Sequence, residues 1–156
     1  MIFLFEDYNH GYVYSISINE HTIASGSTSC QIWDIRQKQR LYTIEHINYV
    51  RKVQLLPSGS CYDLITSGDT TIKVWNGGEL VKTLEHSSSC YSFHLNPERT
   101  MLACSHQEGV TVWSTADWKN LADLKIDWIV DVKFNSASNQ IIAAHYKGEV
   151  SIIDLE

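Results

Sequence analysis

The sequence predicts an all-β chain made of four repeated units, each a four-stranded antiparallel sheet. A Trp-ended strand carries the first sign of this. Gln31-Ile32-Trp33-Asp34, Ile72-Lys73-Val74-Trp75-Asn76 and Val110-Thr111-Val112-Trp113-Ser114 return about every 40 residues, and Val150-Ser151-Ile152-Ile153-Asp154 continues the series with Ile153 in the Trp slot. Apolar and polar residues alternate within each copy, the pattern of a half-buried strand. No segment of ten residues shows a helical period. A sheet of about 40 residues with apolar side chains on both faces cannot cover itself, so neighbouring units must stack.

The units can be read in order, as one domain spanning 1–156 with repeats at about 10–45, 46–85, 86–124 and 125–156. Residues 2–5 form a surplus outer strand before unit one. In unit one, Val13, Ile16 and Ile18 form an apolar triplet on strand 13–18, followed by strands 22–26, 30–35 and 41–45. Unit two repeats the triplet as Val50, Val53 and Leu55. Pro57-Ser58-Gly59 then makes a turn, because Pro sets φ and Gly permits positive φ. Strands 63–67, 71–76 and 80–85 follow, with Gly77-Gly78 as a hairpin loop. Unit three has Cys90, Phe93 and Leu95 as its triplet, then 101–105, 110–114 and 121–125. Unit four has Ile129, Val132 and Phe134, then 140–144 and 149–155, one strand short. Each Trp is expected to lie between adjacent sheets.

Composition limits the function classes. The chain has 156 residues, 44% hydrophobic and 19% charged, which is core-forming rather than disordered. A net charge of −6 with no basic stripe counts against a nucleic-acid platform. Cys30, Cys61, Cys90 and Cys104 form no CxxC pair and match no zinc spacing, so buried free thiols in a reducing compartment are expected. The opening apolar patch is too short for a signal segment and is followed at once by acids. A soluble cytoplasmic or nuclear protein is the expectation.

These repeats resemble those of the WD-repeat β-propeller family over nearly the whole chain. The marks are the opening His (His10, His46, His86), the Val-x-x-Val-x-Leu strand, the Pro turn, the Ser-Gly step (Ser25-Gly26, Ser67-Gly68) and Trp33-Asp34. The resemblance implies a bonded set of His, Ser or Thr, Asp and Trp in each blade. Unit two supplies His46, Ser67 or Thr66, Asp69 and Trp75. Units one and three keep Trp33 and Trp113 but lack the turn Asp, where unit three offers Glu108. Four blades are fewer than the family usually closes into a ring, so an open arc or partial propeller is favoured over a closed four-bladed ring or a ring of two chains. Unit one is also similar to the repeats of F-box proteins with WD repeats.

The resemblance implies a non-catalytic protein–protein interaction scaffold presenting a propeller top face. The alternative is the substrate-recognition part of an F-box type ubiquitin ligase, without its F-box. The top-face positions flank the first inner residue of each blade: Tyr12 and Tyr14, Tyr49 and Arg51, Tyr91, and Trp128. Tyr, Trp and Arg dominate interface energetics. The expected partner is a protein or peptide, or further blades from a longer chain or a second copy, with no nucleic acid and no membrane. No cofactor, metal or catalytic residue is expected. The recurrent histidines fall in different sheets, and His21, His94, His106 and His145 read as surface or turn residues. Gly26-Ser27-Thr28-Ser29-Cys30 lacks the second Gly of a nucleophile elbow.

Overall fold

A computed structural model describes residues 11–155, and among these there is no helix. The expected strand at 2–5 and His10 lie outside the described residues. Among the described residues, fifteen strands form four sheets. Blade one is β1 (Ser15–Asn19), β2 (Thr22–Gly26), β3 (Ser29–Asp34) and β4 (Gln39–Glu45). Blade two is β5 (Val50–Leu55), β6 (Leu64–Gly68), β7 (Thr71–Asn76) and β8 (Glu79–Glu85). Blade three is β9 (Cys90–Leu95), β10 (Met101–His106), β11 (Gly109–Ser114) and β12 (Asn120–Lys125). Blade four has three described strands, β13 (Ile129–Phe134), β14 (Gln140–His145) and β15 (Val150–Asp154). Strand order follows sequence order in every sheet, as hairpin connections require. The alternation therefore located every described strand to within two residues at each end.

The chain divides into two compact units, Met1–Thr83 and Leu84–Glu156. In the first unit, Ala24, Cys30, Ile32 and Ile44 of blade one pack with Val50, Val53, Leu64 and Trp75 of blade two. Alternation along β1 explains how the sheets join. Ser15 Oγ accepts from Val53 N at 3.2 Å and Ser17 Oγ from Leu55 N at 2.9 Å, so the serine face of β1 meets β5. Asn19 Nδ2 donates to Leu56 O at 2.6 Å.

The opposite face of β1 is bare. Ile16 is 74% and Ile18 69% exposed, whereas Val53, the counterpart of Ile16, is 2% exposed. Val50 and Val53 of the blade-two triplet pack towards blade one, the blade before it. Val13, Ile16 and Ile18 have no described blade before them.

In the second unit, Ala103, Val110 and Val112 of blade three pack with Ile129, Val132, Phe134, Ile141 and Ala143 of blade four. The polar face of β9 again meets the next blade. Ser92 Oγ donates to Asp131 Oδ1 at 2.5 Å, and Phe134 N donates to His94 Nδ1 at 3.1 Å.

The tryptophans do not behave alike. Trp75 is buried within the core of its unit, but Trp33 and Trp113 are only half-buried. The expectation that all three are enclosed between sheets is thus corrected for two of them. Trp118, in the β11–β12 turn, is buried instead. His106 is not a surface residue but 2% exposed, and Cys61 is exposed rather than buried.

Candidate functional site

The positions flanking the triplet starts gather aromatic rings in each unit. Tyr14 N donates to Gly26 O at 2.9 Å and Val50 N to Ser27 O at 2.7 Å, which anchors the starts of β1 and β5 side by side. Tyr14 and Tyr49 then meet edge to face, with centroids 5.5 Å apart and planes at 68°. Tyr12 is 83% exposed beside them. Arg51 is half-buried one residue into β5. In the second unit Tyr91 is half-buried near the start of β9. Trp128 stacks flat on exposed Tyr146 at 4.4 Å, held by Trp128 N to Gln107 O and Tyr146 N to Trp128 O. Tyr146 was not singled out in the sequence. Its pairing depends on the register of β13 against β14, which residue spacing alone does not give.

Beneath Tyr49 lies the bonded set of blade two. Trp75 Nε1 donates to Thr66 Oγ1 at 2.9 Å, and Thr66 Oγ1 lies 2.9 Å from His46 Nε2. The indole can only donate, so the hydroxyl accepts from it and has its own proton free for a neutral imidazole. Asp69 accepts from Ile47 N at 3.0 Å, and its carboxylate stands 3.9 Å from His46 Nδ1. Burial, helped by Lys73 and opposed by Asp69, lowers the His46 pKa to about 4. The hydroxyl is that of Thr66. Ser67, the other candidate, has a buried Oγ with no partner. Gly68 completes the arrangement, because a Cβ there would lie 2.5 Å from Tyr49 O and 3.0 Å from His46 Nδ1. The Ser-Gly step therefore sets how closely the Tyr49 loop approaches the bonded set.

Blade three repeats the backbone and changes the chemistry. Thr66 faces Lys73 across β6 and β7, and Cys104 faces Thr111 at the equivalent place across β10 and β11. His86 and Trp113 stand where His46 and Trp75 stand, their rings 5.8 Å apart at 81°. With a thiol between them, His86 Nε2 and Trp113 Nε1 are both buried without a partner. Cys90 replaces Val50, facing His106 as Val50 faces Gly68. The sequence reading gave no metal cluster. The structure brings ligand atoms of His86, Cys90 and Cys104 within 4.8 Å of one another. Alignment of the repeats was the signal that could have found this trio, since it puts Cys104 on Thr66 and Cys90 on Val50.

A second network lies beside it. Glu108 N donates to His106 Nδ1 at 3.3 Å, which leaves the Nε2 proton for Thr111 Oγ1 at 2.9 Å. Burial is the largest cause lowering the His106 pKa, with the neighbouring His86 next. Glu108 does tie the opening loop of the blade, accepting from Ser87 Oγ at 2.9 Å and lying 3.4 Å from Lys125 Nζ. A cavity of ≈ 350 Å³ lies here, lined in part by His86, His106, Glu108 and Trp113.

In the serine-rich turn of blade one, Ser27 and Ser29 are buried. No described helix is long and apolar enough to cross a membrane.

Comparison with known proteins gives a consistent picture. Residues 38–76 match the WD domain, G-beta repeat family. The chain is 29% identical over 116 residues to the chicken (Gallus gallus) U3 small nucleolar RNA-associated protein 15 homolog, covering 70% of this chain and 20% of that protein. It is 34% identical over 91 residues to the mouse (Mus musculus) WD repeat and SOCS box-containing protein 1, covering 54% of this chain and 21% of that protein. The chain thus spans about one fifth of the length of these relatives. The crystal structure of the computationally designed Ika4 protein superimposes with a TM-score of 0.80 at 18% identity, covering 95% of this chain and 94% of that one. The four hairpin-connected sheets, the bonded set of blade two and the repeat matched at residues 38–76 make the chain similar to WD-repeat proteins.

Proposed function

We propose that the chain is a non-catalytic interaction scaffold that binds a protein or peptide through Tyr12, Tyr14, Tyr49 and Arg51 in its first unit and Tyr91 and Trp128 in its second. The observation that carries this reading is the exposed edge-to-face pair of Tyr14 and Tyr49, fixed in place by backbone bonds from neighbouring strand starts. Rigid aromatic side chains lose little conformational freedom on binding and bury large area. The net charge of −6 favours a protein partner over a phosphate backbone. The relative named for association with U3 small nucleolar RNA supports a nuclear setting within a larger assembly. The bare strip of Ile16 and Ile18 is covered, in this reading, by a further blade or a second copy.

Joint alanine substitution of Tyr49, Arg51, Tyr91 and Trp128 tests the surface. A folded variant that loses the partners captured by the parent chain supports it. An unchanged set of partners contradicts it.

The second reading is a ubiquitin-ligase recognition module. It is favoured by the similarity to a protein named for its SOCS box and by the form of unit one. Co-purification of ubiquitin-ligase subunits with the parent protein supports that reading, and their consistent absence removes it.

A further inference from the structure

We propose that His86, Cys90 and Cys104 form a binding site for a single thiophilic divalent cation of the zinc class. Two replacements relative to blade two create it together. Cys104 takes the place of the Thr66 hydroxyl, and Cys90 the place of the Val50 side chain. Either one alone leaves a lone thiol in a core. Both together put two sulfurs and an imidazole nitrogen within 4.8 Å of one another, close enough for one ion to reach all three.

Hydrogen bonding leaves the imidazole of the trio unsatisfied. His86 Nε2 is buried without a partner, although its counterpart in blade two lies 2.9 Å from a hydroxyl. A buried imidazole nitrogen without a partner is costly, and with the proton on Nδ1 it is a good ligand for a borderline-soft metal. Cys90 and Cys104 are buried free thiols, and Cys104 Sγ donates to Ser105 O at 3.6 Å. Metal uptake exchanges two thiol protons for one divalent cation. The loaded site, two thiolates with a doubly charged ion, carries no net charge, the form a buried position tolerates best. Soft ligands exclude magnesium and calcium, which take oxygen. His86 also lines the ≈ 350 Å³ cavity, so the imidazole side of the trio adjoins open space.

The test uses the full chain, reduced and metal-free, in a Cys61→Ser background that removes the exposed thiol. Titration with Co²⁺ is expected to saturate at one equivalent. It should develop thiolate-to-cobalt charge transfer in the near ultraviolet and the visible bands of a tetrahedral site, both abolished by Zn²⁺. The double variant C90V/C104T restores the residues of blade two and is expected to fold. Its Co²⁺ affinity should fall by more than about 100-fold, beyond the loss caused by removing an outer-shell partner. X-ray absorption on the zinc-loaded parent should give two sulfur neighbours, a readout independent of whether the variant folds. A parent chain without the sulfur–cobalt band, an equal signal in folded C90V/C104T, or a zinc shell lacking two sulfurs overturns the proposal.

Discussion

In blade two a single hydroxyl joins His46 to Trp75, whereas in blade three the same place holds a thiol and the equivalent imidazole and indole nitrogens are left without partners. The backbone register around the two positions is the same. The difference is therefore chemical. A hydroxyl accepts one strong bond while donating another, but a thiol does both weakly. Blade two spends its central position on rigidity. Blade three leaves two buried nitrogens that must be held by packing, or by a ligand.

The comparison can be broken at several points, taken from the largest expected effect. Trp75→Ala removes a buried indole from the core of its unit and takes one of two side-chain partners from Thr66, and should destabilise by about 3–5 kcal/mol in denaturant unfolding. The half-buried Trp113 should cost clearly less when changed in the same way.

Acid should weaken blade two through His46. Its folded pKa is about 4 against an ordinary 6.5, so as pH falls the unfolded chain takes up the proton first. The contribution is complete above pH 6.5 and is lost progressively down to pH 4. It amounts to about 3 kcal/mol at full extent. Stability measured at pH 7 and pH 4.5 should fall less in His46→Gln than in the parent.

Thr66→Val keeps the volume and removes the hydroxyl. It should destabilise by about 2 kcal/mol, because His46 Nε2 and Trp75 Nε1 both lose their partner. Cys104→Thr should run the other way, with the smallest effect, a gain of about 1 kcal/mol in metal-free chain as the two orphan nitrogens of blade three are satisfied. Both are read from denaturation midpoints.

The sequence carried the architecture further than it carried the site. Period-two alternation and the recurring triplet placed the strands because side-chain direction in a strand is fixed by parity. That parity says which face Ile16 and Ile18 share, but not whether a neighbour covers it, and here none of the described residues does. The Trp slot recurred in the sequence, yet only Trp75 is buried, because enclosure depends on what the adjoining sheet brings. Thr66 and Ser67 point to opposite faces, so the choice between them needed the register of β6 against β7. The trio of His86, Cys90 and Cys104 has no spacing signature along the chain, because its members meet across neighbouring strands and the loop before them. His106, expected as a surface or turn residue, instead ends β10 beside a bulge at Ser105/His106 and is buried, which residue spacing does not show.

The central claim is that one side chain, Thr66 or Cys104, decides whether the indole of its blade is hydrogen-bonded. The indole N–H resonances in a proton–nitrogen correlation spectrum of metal-free chain test this most directly. Trp75 should show the downfield shift of a bonded indole and Trp113 should not, and Cys104→Thr should move Trp113 towards Trp75 while Trp75 stays in place. A Trp113 signal that does not move in folded Cys104→Thr, or one already as far downfield as Trp75 in the parent, contradicts the account.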